Sequence, residues 1–336
     1  MPTPFRALVS SAVALLAGCA GGTPPHGPVS WPRFGPETGG LDLNGHTNAV
    51  PDLVGPVDGS AKLTIMTEGN QFPVLLPLVQ EELPKWCART GACDLSAEDI
   101  LIVTLPQYMV VRALESGSIR LGNAVVPLVN GPGRVYPDVV MAGAKPLKRL
   151  ARAGVINGSA RVVARHRGLG LLLTRDAARS VTDLEALANF ERPLVVATLD
   201  EAGARKQYID TLDGLLNPRD RARIMAREID FPGRLKIQHR DVPFALLGGF
   251  AEAGILFGHL ARFYAEAYPA DLVAVTVDDA AAFGQDIAIA QSAKGSEIGR
   301  SFETFLFEHA ATAYREKGYA DASSFGFGAE VNLFEP

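Results

Sequence analysis

Short aliphatic runs recur along this chain, each followed by a turn and then by a stretch of helical period. Lys62-Leu63-Thr64-Ile65-Met66 is the first run, and Pro73 begins an amphipathic stretch carrying Val74, Leu75, Leu78, Val79 and Leu83 on one stripe. Strands are expected over 62–66, 99–104, 138–142, 160–164, 170–174, 194–199, 253–257, 272–277 and 286–290. Helices are expected over 73–85, from Pro106 to 116, over 147–153, after Asp200 through 215, over 242–252 and over 298–316. Pro106 suits a first helical turn, where a missing N–H has no consequence. Ser180-Val181-Thr182-Asp183-Leu184 caps a short helix, since a hydroxyl accepts an orphan first-turn N–H. Alternation of this kind is the pattern of an α/β protein.

The chain has 336 residues, enough for one large or two ordinary domains with a substantial core. It is 47% hydrophobic and 21% charged, which excludes wholesale disorder. A net charge of -5 without a polybasic run argues against nucleic acid as partner.

The N-terminus carries one basic residue, Arg6, a short apolar run and small residues, the form of a secretory signal. That run is too short to cross a membrane, which takes about 20 apolar residues. Leu16-Ala17-Gly18-Cys19 resembles the lipobox of bacterial lipoproteins, implying a signal peptide over 1–18 and a lipid on the Cys19 thiol. Acylation of that kind anchors durably, at about 0.8 kcal/mol for each buried methylene. Ala20 rather than aspartate follows Cys19, which by resemblance to lipoprotein sorting favours the outer over the inner membrane. Residues 19–60 are rich in Gly and Pro and read as a tether, with Trp31 and Phe34 as points that pin it.

The other two cysteines, Cys87 and Cys93, flank a Gly turn, and in an exported chain that spacing most simply makes a disulfide. A copper or zinc site with a distant His is the alternative reading. Catalytic signatures fail: His239-Arg240-Asp241 lacks the partners of a kinase loop, and Gly168-Leu169-Gly170 lacks the third glycine of a dinucleotide turn. The six histidines are scattered, with His26 and His46 in the tether, and no metal or cofactor is expected. No nucleophile stands with a base, so the chain is read as a binder and not an enzyme.

Thr67 after the first strand, Thr104-Leu105-Pro106-Gln107 after the second, Pro137-Asp138-Val139-Val140-Met141-Ala142-Gly143-Ala144, Thr182-Asp183-Leu184, Asp241-Val242 and Ala251-Glu252-Ala253-Gly254-Ile255-Leu256 occur in a telling order. That series resembles the type II periplasmic solute-binding proteins, most closely their molybdate-type branch. The resemblance implies a two-lobe fold with a hinge and an interlobe cleft. Lobe 1 is expected over 61–170 plus 286–336, and lobe 2 over 171–285. Two departures from the family stand out. Its ligand loops are usually Ser-rich, and the insertion 118–137, with Asn123, Asn130-Gly131-Pro132-Gly133 and Tyr136, is long.

Ligands of open α/β sheets sit beyond the carboxyl ends of the strands. The exits expected to line the cleft hold Thr67, Glu68, Asn70, Gln71, Thr104, Gln107, Gly143 and Lys145 on one side. Asp200, Arg205 and Phe257 stand on the other. Helix N-termini there suit an oxyanion; Glu68, Asp200 and Glu201 oppose a bare dianion, and Lys145 and Arg205 offset them. Thr and Asn after a strand serve equally well as local caps.

The expectation is a monomeric, lipid-anchored periplasmic protein that captures a small polar or oxyanionic ligand for an ABC permease. Its only membrane contact is the anchor. A second reading keeps the fold but makes the protein an outer-membrane carrier of a lipid or metal complex.

Overall fold

The computed structural model describes residues 53–121, 124–128, 136–232, 234 and 237–335. The signal peptide, Cys19, His26, His46, Trp31, Phe34, Asn123 and the turn at 130–133 lie outside the described residues.

Apolar runs become strands in the order β1 (Leu53–Val54), β2 (Leu63–Glu68), β3 (Ile100–Leu105), β4 (Ser118–Leu121), β5 (Ala124–Pro127), β6 (Val139–Ala142) and β7 (Ser159–Arg165). There follow β8 (Leu169–Thr174), β9 (Leu194–Val195), β10 (Ala253–Phe257), β11 (Leu272–Thr276), β12 (Asp286–Gln291) and β13 (Glu330–Asn332). Two main sheets result, ordered β1-β3-β2-β6-β12-β7-β13 and β11-β8-β10-β9, with β4 and β5 as a separate hairpin. β2 runs parallel to both β3 and β6, in register Thr67 with Thr104, so these two strands end side by side. β2, β3 and β6 are buried at every position, as strands covered on both faces must be.

The chain leaves the larger sheet at Arg165, enters the smaller at Leu169, and returns from Thr276 to Asp286. The crossings run against each other: the His166 N–H donates to the Gln285 carbonyl at 3.2 Å, and Arg165 pairs with Asp286. A side chain would not fit there. A Cβ on Gly168, whose φ is +75°, would lie 2.2 Å from the Ala280 carbonyl, and one on Gly284 2.2 Å from that of His166. These paired crossings are where a hinge between the halves has to lie.

Several boundaries differ from the sequence reading. Leu53 and Val54, expected in the tether, pair with Val103 and Ile102, so the sheet begins inside 19–60. The lobe boundary expected at 170 falls within β8. The helix over 73–85 runs instead from Phe72 to Thr90 with a π-turn at Leu78–Glu82, where the Leu83 N–H reaches back to Leu78. Pro77 and Pro84 flank that wider turn and cannot donate to regular helical bonds. The strand over 194–199 stops at Val195, because side chains of Arg234 and Arg205 take the Val196 and Ala197 carbonyls. Asp183, not a hydroxyl, caps the next helix, accepting from the Ala186 N–H at 2.7 Å. The helix placed over 242–252 spans Gln238–Leu247.

Cys87 and Cys93 form a disulfide that closes the turn after the helix Leu83–Thr90. Closing so short a loop removes about 2 kcal/mol of unfolded-state entropy. Cys87→Ser with Cys93→Ser is therefore expected to lower stability by about 2 kcal/mol in urea titrations, with ligand affinity unchanged.

Candidate functional site

β2 and β3 end together, and the turn Gly69-Asn70-Gln71 follows β2 before a helix starts at Phe72. Thr67, Glu68, Asn70, Gln71 and Thr104 are all buried, although polar. They are covered by the smaller-sheet half. The His259 ring, on the first turn of the helix after β10, bonds the Asn70 carbonyl through Nε2 at 3.2 Å. His239, on the first turn of Gln238–Leu247, lies so close to Gly69 that a Cβ there would be 2.5 Å from its Cε1. Phe72 packs against His239 at 5.9 Å and edge-on to Phe263 at 5.2 Å between ring centroids. The halves therefore meet in this structure, along the carboxyl ends of strands from both sheets.

The C-terminal segment seals one side. Tyr319 stacks on His259 with centroids 4.1 Å apart and donates to the Asn70 carbonyl at 3.1 Å. Tyr314 donates to Gln71 Oε1 at 2.5 Å. Opposite, Glu201 accepts from the Gln238 N–H at 2.6 Å, Tyr208 donates to Gln238 Oε1, and Tyr264 donates to the His239 carbonyl. Arg240 is wholly buried in that first turn, and Asp241 is held by Arg234 at 3.1 Å.

Burial decides the charge state. Desolvation pushes the Glu68 carboxyl up to about 8, against a hydrogen bond from the Asn70 side chain. Glu201 is likewise raised by burial to about 8, with Asp241 adding to the shift. Burial lowers His166 to about 3 and holds His239 and His259 well below the usual histidine range. Near neutral pH the site thus presents protonated carboxyls and neutral imidazoles. Seven of its polar atoms have no hydrogen-bond partner among the described residues: Thr67 Oγ1, Glu68 Oε1, Asn70 Oδ1, Gln71 Nε2, Thr198 Oγ1, His239 Nε2 and His259 Nδ1. A folded protein pairs nearly all such groups, so a concentration of exceptions at one seam demands an explanation.

The expected residues separate into groups. Thr67, Glu68, Asn70 and Gln71 lie at the seam, with Thr104 beside Thr67. Gln107 adjoins Gly143, whose Cβ would sit 3.7 Å from its Nε2. Lys145 is exposed on the helix that follows. Asp200 is exposed, and its charge raises Tyr108, after desolvation and Glu201. Phe257 is buried against His166, Tyr208 and His259. Arg205 is committed elsewhere: it grips Glu228 with two bonds of 2.7 and 2.6 Å and the Ala197 carbonyl at 2.6 Å. Arg205→Ala is expected to cost about 1–3 kcal/mol of stability, read by chemical denaturation, and to leave ligand affinity unchanged.

His239, Arg240, Tyr314 and Tyr319 were not anticipated. The signal lay in Gln238-His239-Arg240-Asp241, four polar residues in a row, all buried and opening a helix. Among the described residues no group of three His, Cys, Asp or Glu side chains is placed to hold a metal ion. No helix among them is long and apolar enough to cross a membrane.

Two α/β halves are joined by paired crossings, with buried polar groups along their seam, a two-lobed architecture. The chain belongs to the bacterial extracellular solute-binding protein family, whose model matches residues 123–320. Peb3 from Campylobacter jejuni shares the fold, with 13% identity and a TM-score of 0.52 over 77% of this chain and 99% of that one. PEB3 solved with L-phospholactate bound matches at 12% identity and 0.52, covering 77% and 99%. The sulfate-binding protein SubI from Mycobacterium tuberculosis matches at 12% and 0.53, covering 76% of this chain and 85% of that one. No curated protein sequence matches. Solute binding, not catalysis, is this family's activity.

Proposed function

We propose that the protein captures a small polar solute between its lobes, closes over it, and presents the closed form to an ABC-type permease. It does so while held to the cell envelope by a lipid on Cys19. The observation that carries this reading is the set of buried polar atoms without partners at the seam, from 67–71 on one lobe and Thr198, His239 and His259 on the other. Closing a hinge over a ligand satisfies such atoms from both sides at once, and that is how binding energy becomes a change of shape. An oxyanionic group is the class implied by resemblance to the molybdate-type branch. SubI, a sulfate-binding protein, and PEB3 with L-phospholactate bound agree with it. The first turns of Gln238–Leu247 and Gly258–Ala267 reach the seam and suit such a group.

Mass spectrometry of solute released from protein purified out of its own cell envelope tests the reading. A small molecule recovered near one per protein supports it; none recovered from a chain that also fails to bind any tested solute contradicts it. The anchor is tested separately. The N-terminal peptide is expected to carry acyl mass on Cys19, and Cys19→Ser is expected to release the protein from the membrane fraction.

A further inference from the structure

We infer that lobe 1 makes a second membrane contact through a basic face on the helices Gln107–Ser116 and Ala144–Arg152, which lies against anionic phospholipid headgroups. This rests on the lipid-anchor reading above and departs from the sequence expectation that the anchor is the only membrane contact.

Lys145, Lys148, Arg149 and Arg152 fall at i, i+3, i+4 and i+7, the spacing that puts four side chains on one helical face. Leu147, Leu150 and Ala151 are buried in the apolar cluster that also holds Val103 and Val140 of the larger sheet. Lys145, Arg149 and Arg152 are exposed, and Lys148 is half-buried. Arg149 reaches the neighbouring helix and grips Glu115 with two bonds of 2.5 and 2.6 Å. Tyr108, Arg112 and Glu115 form a stripe of their own at i, i+4 and i+7 of that helix, each of them exposed. Among the described residues of the two helices, five cations therefore share the surface with one carboxylate, in a chain whose net charge is -5. Helical spacing scatters these cations over 112–152, so no basic run announces them.

Anionic lipid is the occupant that suits both this charge and the chain's attachment. Clusters of about four to eight Lys and Arg on an amphipathic helix gather at anionic headgroups. Only residues 20–52 lie between Cys19 and Leu53, and Leu53 packs in one cluster with Val110, Leu114, Leu147 and Leu150. The chain coming from the anchor thus joins lobe 1 in the layer that these two helices form. An anchored body meets its bilayer at high effective concentration, so contacts too weak to hold a free protein suffice. The exposed ring of Tyr108 is of the amphipathic kind that settles at headgroup level. Glu115 does not cancel the patch: its bond to Arg149 is an exposed pair, worth little in water, and the cations outnumber it.

The test is trace acetylation of lysines, read by mass spectrometry, on protein purified from its own membrane fraction and mixed with vesicles. The vesicles are phosphatidylcholine alone or phosphatidylcholine with about one-quarter phosphatidylglycerol. Lys206, on lobe 2 with a side chain 72% exposed, is the internal reference. In about 0.1 M salt, Lys145 and Lys148 are expected to react about fivefold more slowly, relative to Lys206, on the anionic vesicles than on the neutral ones. Raising salt to about 1 M shortens the screening length to about 3 Å and is expected to restore their reactivity. Arg112→Glu with Arg152→Glu is expected to fold, to float with both vesicles and to lose the protection; protection retained in that variant would overturn the inference. Equal reactivity of both lysines on the two lipids also overturns it, and flotation with neutral vesicles then leaves the anchor standing. Protection on anionic vesicles by a chain that does not float with neutral ones upholds the inference and contradicts the anchor. Flotation with neither overturns both.

Discussion

The unfolding free energy of the unliganded protein is expected to be greatest near pH 6.5 and to fall by roughly 2 kcal/mol by pH 8. Glu68 and Glu201 are buried, and both titrate near 8 in the folded chain instead of near 4.5. Between those values the folded state keeps two protons that the unfolded chain has released. Their contribution is complete in acid and drains away as pH rises through 8. Each group removes about 1.4 kcal/mol per pH unit over that interval.

His166, His239 and His259 act in the opposite sense. Their folded pKa values are depressed, so their contribution is present above about 6.5 and is lost as pH falls below it. Three imidazoles outweigh two carboxyls on the acid side, so stability also falls as pH drops below about 6.5. Urea denaturation across pH 4.5–8.5 measures this curve directly. Glu68→Gln should halve the alkaline fall. Stability that climbs steadily from pH 5 to 8 would mean that the two carboxyls are solvated, and with them the closed seam would be lost.

Gly69→Ala is expected to weaken ligand binding by roughly 10–100-fold and to lower the Tm of the unliganded protein as well. The new methyl would lie 2.5 Å from His239 Cε1, and that ring cannot retreat easily because it is buried against Phe72. Overpacking a filled contact costs about 1–3 kcal/mol, and here the penalty falls only on the closed arrangement. That arrangement is also the folded state in which Glu68 and Glu201 are buried, so the cost appears in stability as well as in affinity. Gly203→Ala is the control, since a Cβ there meets nothing within 4 Å. Equal affinity for both variants would show that Gly69 and His239 do not approach each other when solute is bound.

Much of the fold was legible in the chain because its strands are nearly pure aliphatic runs. Ala253–Phe257 occurs where expected, Ile100–Leu105 shifts by one residue, Val139–Ala142 loses one and Asp286–Gln291 gains one. What escaped depends on partners distant in sequence. Leu53–Val54 and Glu330–Asn332 are strands only because β3 and β7 offer open edges, and neither is periodic enough to declare itself. Val196 and Ala197 look like strand and are not, because two arginine side chains reach their carbonyls first.

The site divides along the same line. Thr67 to Gln71 could be placed because a loop after a parallel strand has a defined position relative to the sheet edge. His239 and Arg240 could not, since a polar run at a helix start ordinarily faces water and nothing local announces that another lobe covers it. Tyr314 and Tyr319 reach the seam from the far end of the chain, some 240 residues from the atoms they bond. Arg205 was misjudged for want of Glu228, whose approach depends on the turn after Pro218–Met225.

A crystal structure of the protein isolated from its own envelope, without refolding, bears most directly on all of this. Electron density for one small solute touching Glu68 and Asn70 on one lobe and His259 or His239 on the other is the predicted result. A solute seated elsewhere, with those four side chains satisfied by the protein alone, would contradict it.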